Sequence, residues 1–242
     1  MVRSEDDKEQ LYYGQNNFAD EESHKKRGLI ICRGGGDLAT GIVHRLHRSG
    51  FHVLILETGH PAAIRRQVSF SEAVYDKTTT VEGVTAQLIG PVHALNGNGD
   101  RDKNALVSEI DAAFSCGNIP LLIDPRGDSI RLLKPDVVID AIIAKKNLGT
   151  TIDMAPLVIG IGPGFTAGID VDLVIESMRG HHLARIITDG GALADTGVPG
   201  NIGGYTKERV IHAQAAGVIE NIRQIGDIVA QGDEIARIYT DD

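Results

Sequence analysis

"ICRGGGDLATGIVHRLHRSGFHVLILET", residues 31–58, decides the fold. It reads as an apolar strand, three glycines, a helix and a second strand that closes on an acid. Gly34, Gly36 and Ala39 match a G-x-G-x-x-G/A spacing. In that pattern the first glycine makes the turn, the second lets backbone approach a pyrophosphate, and the small third residue lets helix meet strand. Gly35 lies between them, and Glu57, at the end of the next strand, stands where an acid would accept a hydrogen bond from a ribose hydroxyl. Asp37 opposes this reading. It is a good N-cap for the helix, and its carboxylate competes with a phosphate for the same amides. Arg33, just before the glycines, could neutralise Asp37 or hold an anion. The loop is therefore either an anion-holding turn or a structural corner.

Outward from this unit, apolar runs recur at Leu29 to Cys32, His52 to Glu57, Ile119 to Ile123, Val137 to Ile139 and Leu157 to Ile161. Runs apolar on both faces suit a buried parallel sheet. Helices are expected from about Leu38 to Ser49 and from about Asn104 to Ser115. The β-α-β order predicts a Rossmann-like α/β fold, a doubly wound and mostly parallel sheet. "KTTTVEGVTAQLI", Lys77 to Ile89, alternates with period two, as an edge hairpin or a single strand. "NGNGDRDK", Asn96 to Lys103, has the composition of an exposed loop.

The organisation expected is a disordered extension over residues 1–27, a Rossmann-like domain over 28–190 and a small β-rich module over 191–242. The extension mixes acids, amides and lysines without the apolar core of a secretory signal. "DGGALADTGVPGNIGGY", Asp189 to Tyr205, is a glycine-rich boundary. Beyond it, "AQAAGVIENIRQIGDIVAQGDEIARI" is similar to half of a biotinyl or lipoyl carrier domain. No lysine follows Lys207, so this reads as a docking or packing hairpin rather than a carrier.

The 242 residues can bury a full core, and a net charge of −9 with scattered Lys and Arg leaves no basic stripe for nucleic acid. No run approaches the length needed to cross a bilayer. The two cysteines, Cys32 and Cys116, form no CxxC and are expected to stay reduced in the cytoplasm. Cys32 could carry a persulfide if the helix N-terminus favoured its thiolate; otherwise it is a buried strand cysteine.

Ligands of open α/β sheets lie beyond the carboxyl ends of the strands. The endings here are the three glycines, Glu57, Asp124 with Arg126, Asp140, and a second glycine loop, "GIGPGFTAG", with Gly162 and Gly164. After Asp140 come Lys145, Lys146 and Asn147, donors for a phosphate or carboxylate or else a solvated charge pair. Arg65 and Arg66 follow the second strand, where an NADP-type phosphate would be read or where surface arginines would sit. His44 and His47 share a helix face without a third ligand, so no metal site is assigned. Tyr75 and Lys77 lack the Tyr-x-x-x-Lys spacing of a short-chain dehydrogenase, and there is no Ser elbow, HExxH or Walker loop.

Taken together, "RGGGDLATGIVHRLHRSGF", "IRRQVSFSEAVY", "KPDVVIDAIIAKKNLGT", "APLVIGIGPGFTAG" and "VPGNIGGY.KERV" resemble the YqeB family, accessory proteins of the selenium-dependent molybdenum hydroxylase system. The resemblance runs from about Gly28 to Ile238. It implies a cytoplasmic maturation factor for xanthine-dehydrogenase-like enzymes, with a molybdenum hydroxylase as client. The glycine loop and the lysines would then serve a phosphate-bearing small molecule, a dinucleotide or molybdopterin-type cofactor, as ligand. No catalytic residue carries over, and assembly into a homo-oligomer stays open. An NAD(P)-dependent oxidoreductase is the alternative reading; it needs a proton donor that the sequence does not identify. A regulatory binding module is a third.

Overall fold

The computed structural model describes residues 28–89, 100–195, 197 and 202–240. The expected extension over residues 1–27 lies outside them. The elements are β1 (Leu29–Arg33), α1 (Asp37–Arg48), β2 (His52–Glu57), α2 (Ala73–Asp76), β3 (Thr78–Val81), β4 (Val84–Leu88), α3 (Asp100–Ser115), β5 (Ile119–Ile123), α4 (Asp128–Leu133), β6 (Val137–Asp140), β7 (Leu157–Ile161), β8 (Leu173–Ile175), β9 (Ile186–Ile187), β10 (Val218–Asn221) and β11 (Ala236–Tyr239).

Nine strands form one sheet in the order β3-β4-β5-β2-β1-β6-β7-β8-β9. The outermost pairs, β3 with β4 and β8 with β9, are antiparallel, and the pairings between them are parallel. The buried strands carry apolar side chains on both faces, as parallel strands covered on both sides require. Ile30, Cys32, Val53 and Ile55 point to the face covered by α1, where Ala39 and Val43 sit one helical turn apart. Ile31, Leu54 and Leu56 point to the opposite face, which receives Leu106, Ile110 and Ala113 of α3 and Ile130 of α4. Each fully buried Val, Ile or Leu contributes about 1.5–3 kcal/mol. These two layers on either side of β1 hold the glycine loop in place.

The period-two stretch is a hairpin. Its turn, Glu82 and Gly83, has positive φ at both positions (46° and 77°), the arrangement whose twist matches the strands it joins. Helix α3 begins at Asp100, four residues before the start expected from apolar spacing, so Asp100 to Lys103 are helix rather than loop. Polar residues at a helix N-terminus leave no periodic signal, and composition misassigns them. The expected loop residues Asn96 to Gly99 lie outside the described residues. The antiparallel pair β10 and β11 forms a separate two-stranded sheet, with all of β10 exposed.

Candidate functional site

The carboxyl ends of β1, β2 and β6 meet around the three glycines, and a cleft of about 500 Å³ opens there. Gly34 has φ +98°, and a Cβ on it would lie 2.9 Å from the carbonyl oxygen of Ala141, so a side chain is excluded by conformation and space together. Gly35 is braced. Its N–H donates to Glu57 Oε2 at 2.8 Å, and its carbonyl accepts from the Ser71 N–H at 2.8 Å and the Thr40 hydroxyl at 3.1 Å. The Thr40 oxygen in turn accepts the Phe70 N–H at 2.9 Å. The Ser69–Ser71 segment is thus tied to the glycine loop by backbone-directed bonds.

Gly36 is different. Its φ of −65° suits any residue, and a Cβ on it would meet nothing within 4 Å. It caps α1 with extended backbone and no side-chain bond, which leaves the first amides of a 12-residue helix without a capping acceptor. The cap is therefore Gly36 and not Asp37, because Asp37 already has helical backbone as the first residue of the helix. Arg65, and not Arg33, neutralises it: Arg65 Nη1 lies 2.5 Å from Asp37 Oδ2. Strand alternation explains the difference. Arg33 shares the parity of Ile31 and points to the sheet face away from α1.

On that far face Arg33 is 1% exposed. Its guanidinium donates to the Thr150 hydroxyl oxygen and to the Pro125 carbonyl, and lies 3.6 Å from Asp140 Oδ2. The Thr150 hydroxyl donates to Asp140 Oδ2 at 2.5 Å. Asn147 holds Thr150 in place, its Oδ1 accepting the Gly149 and Thr150 amides and its Nδ2 donating to the Thr150 carbonyl. Asp124 accepts the amides of Gly127, Asp128 and Ser129 and the Ser129 hydroxyl, ordering the start of α4.

Of the residues singled out in the sequence, Gly34, Gly36, Asp37, Ala39, Glu57 and Arg65 line the cleft. Gly35 supports it from behind. Arg66, Asp140, Lys145, Lys146, Asn147, Gly162 and Gly164 are not among its lining residues. Lys145 pairs with Asp195 at 2.8 Å on the surface. Gly164 packs on the Lys146 backbone and Gly162 on the Ser177 side chain, so the second glycine loop seats against the Lys145–Asn147 turn. Sequence reasoning missed Ser71, Thr58, His60 and the apolar walls at Pro61 to Ile64 and Ala141 to Ile143. The Ser71 side chain carries a buried oxygen without a hydrogen-bond partner, and no motif spacing could mark it.

Glu57 keeps both carboxylate oxygens on backbone amides, Gly35 through Oε2 and Thr58 through Oε1. It serves first as a brace, with lone pairs left for a hydroxyl donor. Cys32 is fully buried behind the loop. Burial, with the negative charges of Asp140 and Glu57, pushes its thiol well above the ordinary range, so it stays neutral and unreactive. This removes the physical basis for a persulfide there. Stability should accordingly fall as pH rises past the ordinary thiol range, because the unfolded chain ionises Cys32 there and the folded chain does not. Thiol labelling of the native protein is expected to modify exposed Cys116 alone, with Cys32 reacting only after denaturation. Two labels on the native chain would contradict this burial.

Among the described residues, no helix is long and apolar enough to cross a membrane. No family model and no solved structure matches the chain. A curated relative does: "Uncharacterized protein YqeB" of Escherichia coli (strain K12), 46% identical over 210 residues. The match covers 87% of this chain and 36% of the relative, so the chain spans just over a third of that protein's length. Over most of its length the chain is thus similar to YqeB, in agreement with the resemblance that its motifs carry.

Proposed function

We propose that this chain is a cytoplasmic accessory protein in the maturation of selenium-dependent molybdenum hydroxylases, and that it holds a phosphate-bearing cofactor or nucleotide in the cleft at Gly36. The observation that carries the binding reading is the uncapped N-terminus of α1, opening onto free space at Gly36. Helix N-terminal amides that lack an acceptor are a ready anion site.

Topology supports the same reading. The strands β5-β2-β1-β6-β7-β8 follow the order of a dinucleotide-binding sheet, and the order in which strands add to the sheet switches sides at β1, where such sheets bind their ligands. The cleft lies off the carboxyl ends of the strands at that switch. Its apolar lining, which includes Ile64, Ile142 and Ile143, suits a planar ring system. The residues present thus fit a molybdopterin-type or nucleotide ligand: amides for phosphate, apolar walls for a ring. The maturation role and the hydroxylase client rest on the family motifs.

Calorimetric titration with NAD, NADP and a molybdopterin cofactor tests the ligand. Molybdopterin binding supports the accessory reading, whereas NAD or NADP binding alone would favour an oxidoreductase. The role is tested by deleting the gene in its own host and assaying molybdenum hydroxylase activity. Loss of activity, restored by the wild-type chain but not by Gly36→Val, is the expected outcome, and unchanged activity in the deletion strain would overturn it.

A further inference from the structure

Two side chains in the cleft are in states that a bound phosphate would resolve. Asp37 places a carboxylate at the positive end of α1 and is held there by Arg65 at 2.5 Å, with both side chains lining the cleft. An anion at a helix N-terminus is favoured, so Asp37 occupies the electrostatic position of a ligand anion while belonging to the chain. Ser71 is 1% exposed, lines the same cleft, and its hydroxyl has no hydrogen-bond partner. Its backbone is fixed to the glycine loop through the 2.8 Å bond to the Gly35 carbonyl, so it cannot simply turn out to water with its segment. A buried hydroxyl without a partner is costly and calls for one.

We propose that Asp37 is a resident substitute for a phosphomonoester, and that ligand binding transfers Arg65 from Asp37 to the phosphate while the Ser71 hydroxyl donates to a phosphate oxygen. This rests on the reading that the cleft binds a phosphate-bearing ligand, and it narrows the ligand to one with a terminal, doubly charged phosphate. The selectivity follows from charge. A singly charged diester that replaces the Asp37 carboxylate on Arg65 only exchanges one monoanion for another. A dianion adds a charge facing both the guanidinium and the helix terminus. Arg65 is 62% exposed and Asp37 31% exposed, so the pair is free to part without disturbing the core.

The probes are inorganic phosphate and 5′-CMP as dianions, NAD as a carrier of diester phosphates only, and cytidine as the phosphate-free control. On the wild-type chain, 5′-CMP is expected to bind more tightly than either NAD or cytidine. Asp37→Asn should tighten phosphate and 5′-CMP by about tenfold, because it removes the competing charge, and leave cytidine unchanged. Ser71→Ala should weaken 5′-CMP by about tenfold or more. In the free protein Ser71→Ala should raise the melting temperature, since it deletes an unpartnered buried hydroxyl. That opposite movement separates loss of a ligand contact from misfolding.

Binding of 5′-CMP that is lost in Gly36→Val yet unchanged by Asp37→Asn and Ser71→Ala would overturn this inference and leave the cleft reading standing. Preference for NAD over 5′-CMP would do the same. Failure of every phosphate-bearing probe to bind the wild-type chain would overturn both.

Discussion

Asp140→Asn is expected to destabilise the folded chain by about 3–5 kcal/mol, a fall in melting temperature of roughly 6–20 °C for a protein of this size. The reason is the state in which it leaves Arg33. That guanidinium is buried at the end of β1, with Asp140 as its counter-charge and Thr150 bridging the two. Removing one charge of a buried pair strands the other in a medium that solvates it poorly. Arg33→Met should cost a similar amount by stranding the carboxylate. The triple replacement Arg33→Met, Asp140→Leu and Thr150→Val leaves no orphaned charge, only the part-buried Pro125 carbonyl and Ile142 amide without their partners, and should cost much less than the sum of the single changes. Additive losses measured by denaturant unfolding would contradict the assignment of this cluster as one coupled unit. The cluster faces away from α1, so these variants should lose stability rather than change the chemistry of the cleft.

The second large effect separates two glycines two positions apart. Gly34→Ala should cost about 2–5 kcal/mol, combining left-handed backbone strain with a Cβ 2.9 Å from the Ala141 carbonyl oxygen. Gly36→Val should cost no more than about 1 kcal/mol, the loss of a good capping residue, because its backbone is ordinary and its Cβ points into open space. For binding the order reverses: Gly36→Val fills the approach to the helix amides and should weaken a phosphate-bearing ligand by about a hundredfold, or 2.7 kcal/mol. Melting curves and calorimetry on the two variants check this crossing. A Gly36→Val chain that binds as tightly as wild type would remove the cleft from the account.

The fold was legible wherever burial on both faces produced long apolar runs. The bounds of β2, β5 and β7 read directly, and α1 was displaced by a single residue, because four-residue apolar spacing and flanking glycines mark these elements without tertiary help. Helix α4 and strands β8 and β9 escaped notice, since six, three and two residues are too few to show a period. At the site, the glycine spacing found Gly34, Gly36 and Ala39, and strand endings found Glu57. The same reasoning grouped Asp140 with them, although strand parity could have separated them: Asp140 follows Val138 onto the face away from α1, as Arg33 follows Ile31. Ser71 was illegible for another reason. Its place beside Gly35 depends on a hydrogen bond across 36 residues of chain, which no local pattern encodes.

The most direct test of the central claim is amide chemical-shift mapping on the isotopically labelled chain during titration with 5′-CMP. The account predicts that the largest perturbations fall on the backbone amides of Gly36, Asp37, Leu38 and Ala39, with Ser71 among the next. Perturbations centred instead on Lys145 to Asn147 and Gly162 to Gly164, or none at saturating ligand, would contradict it.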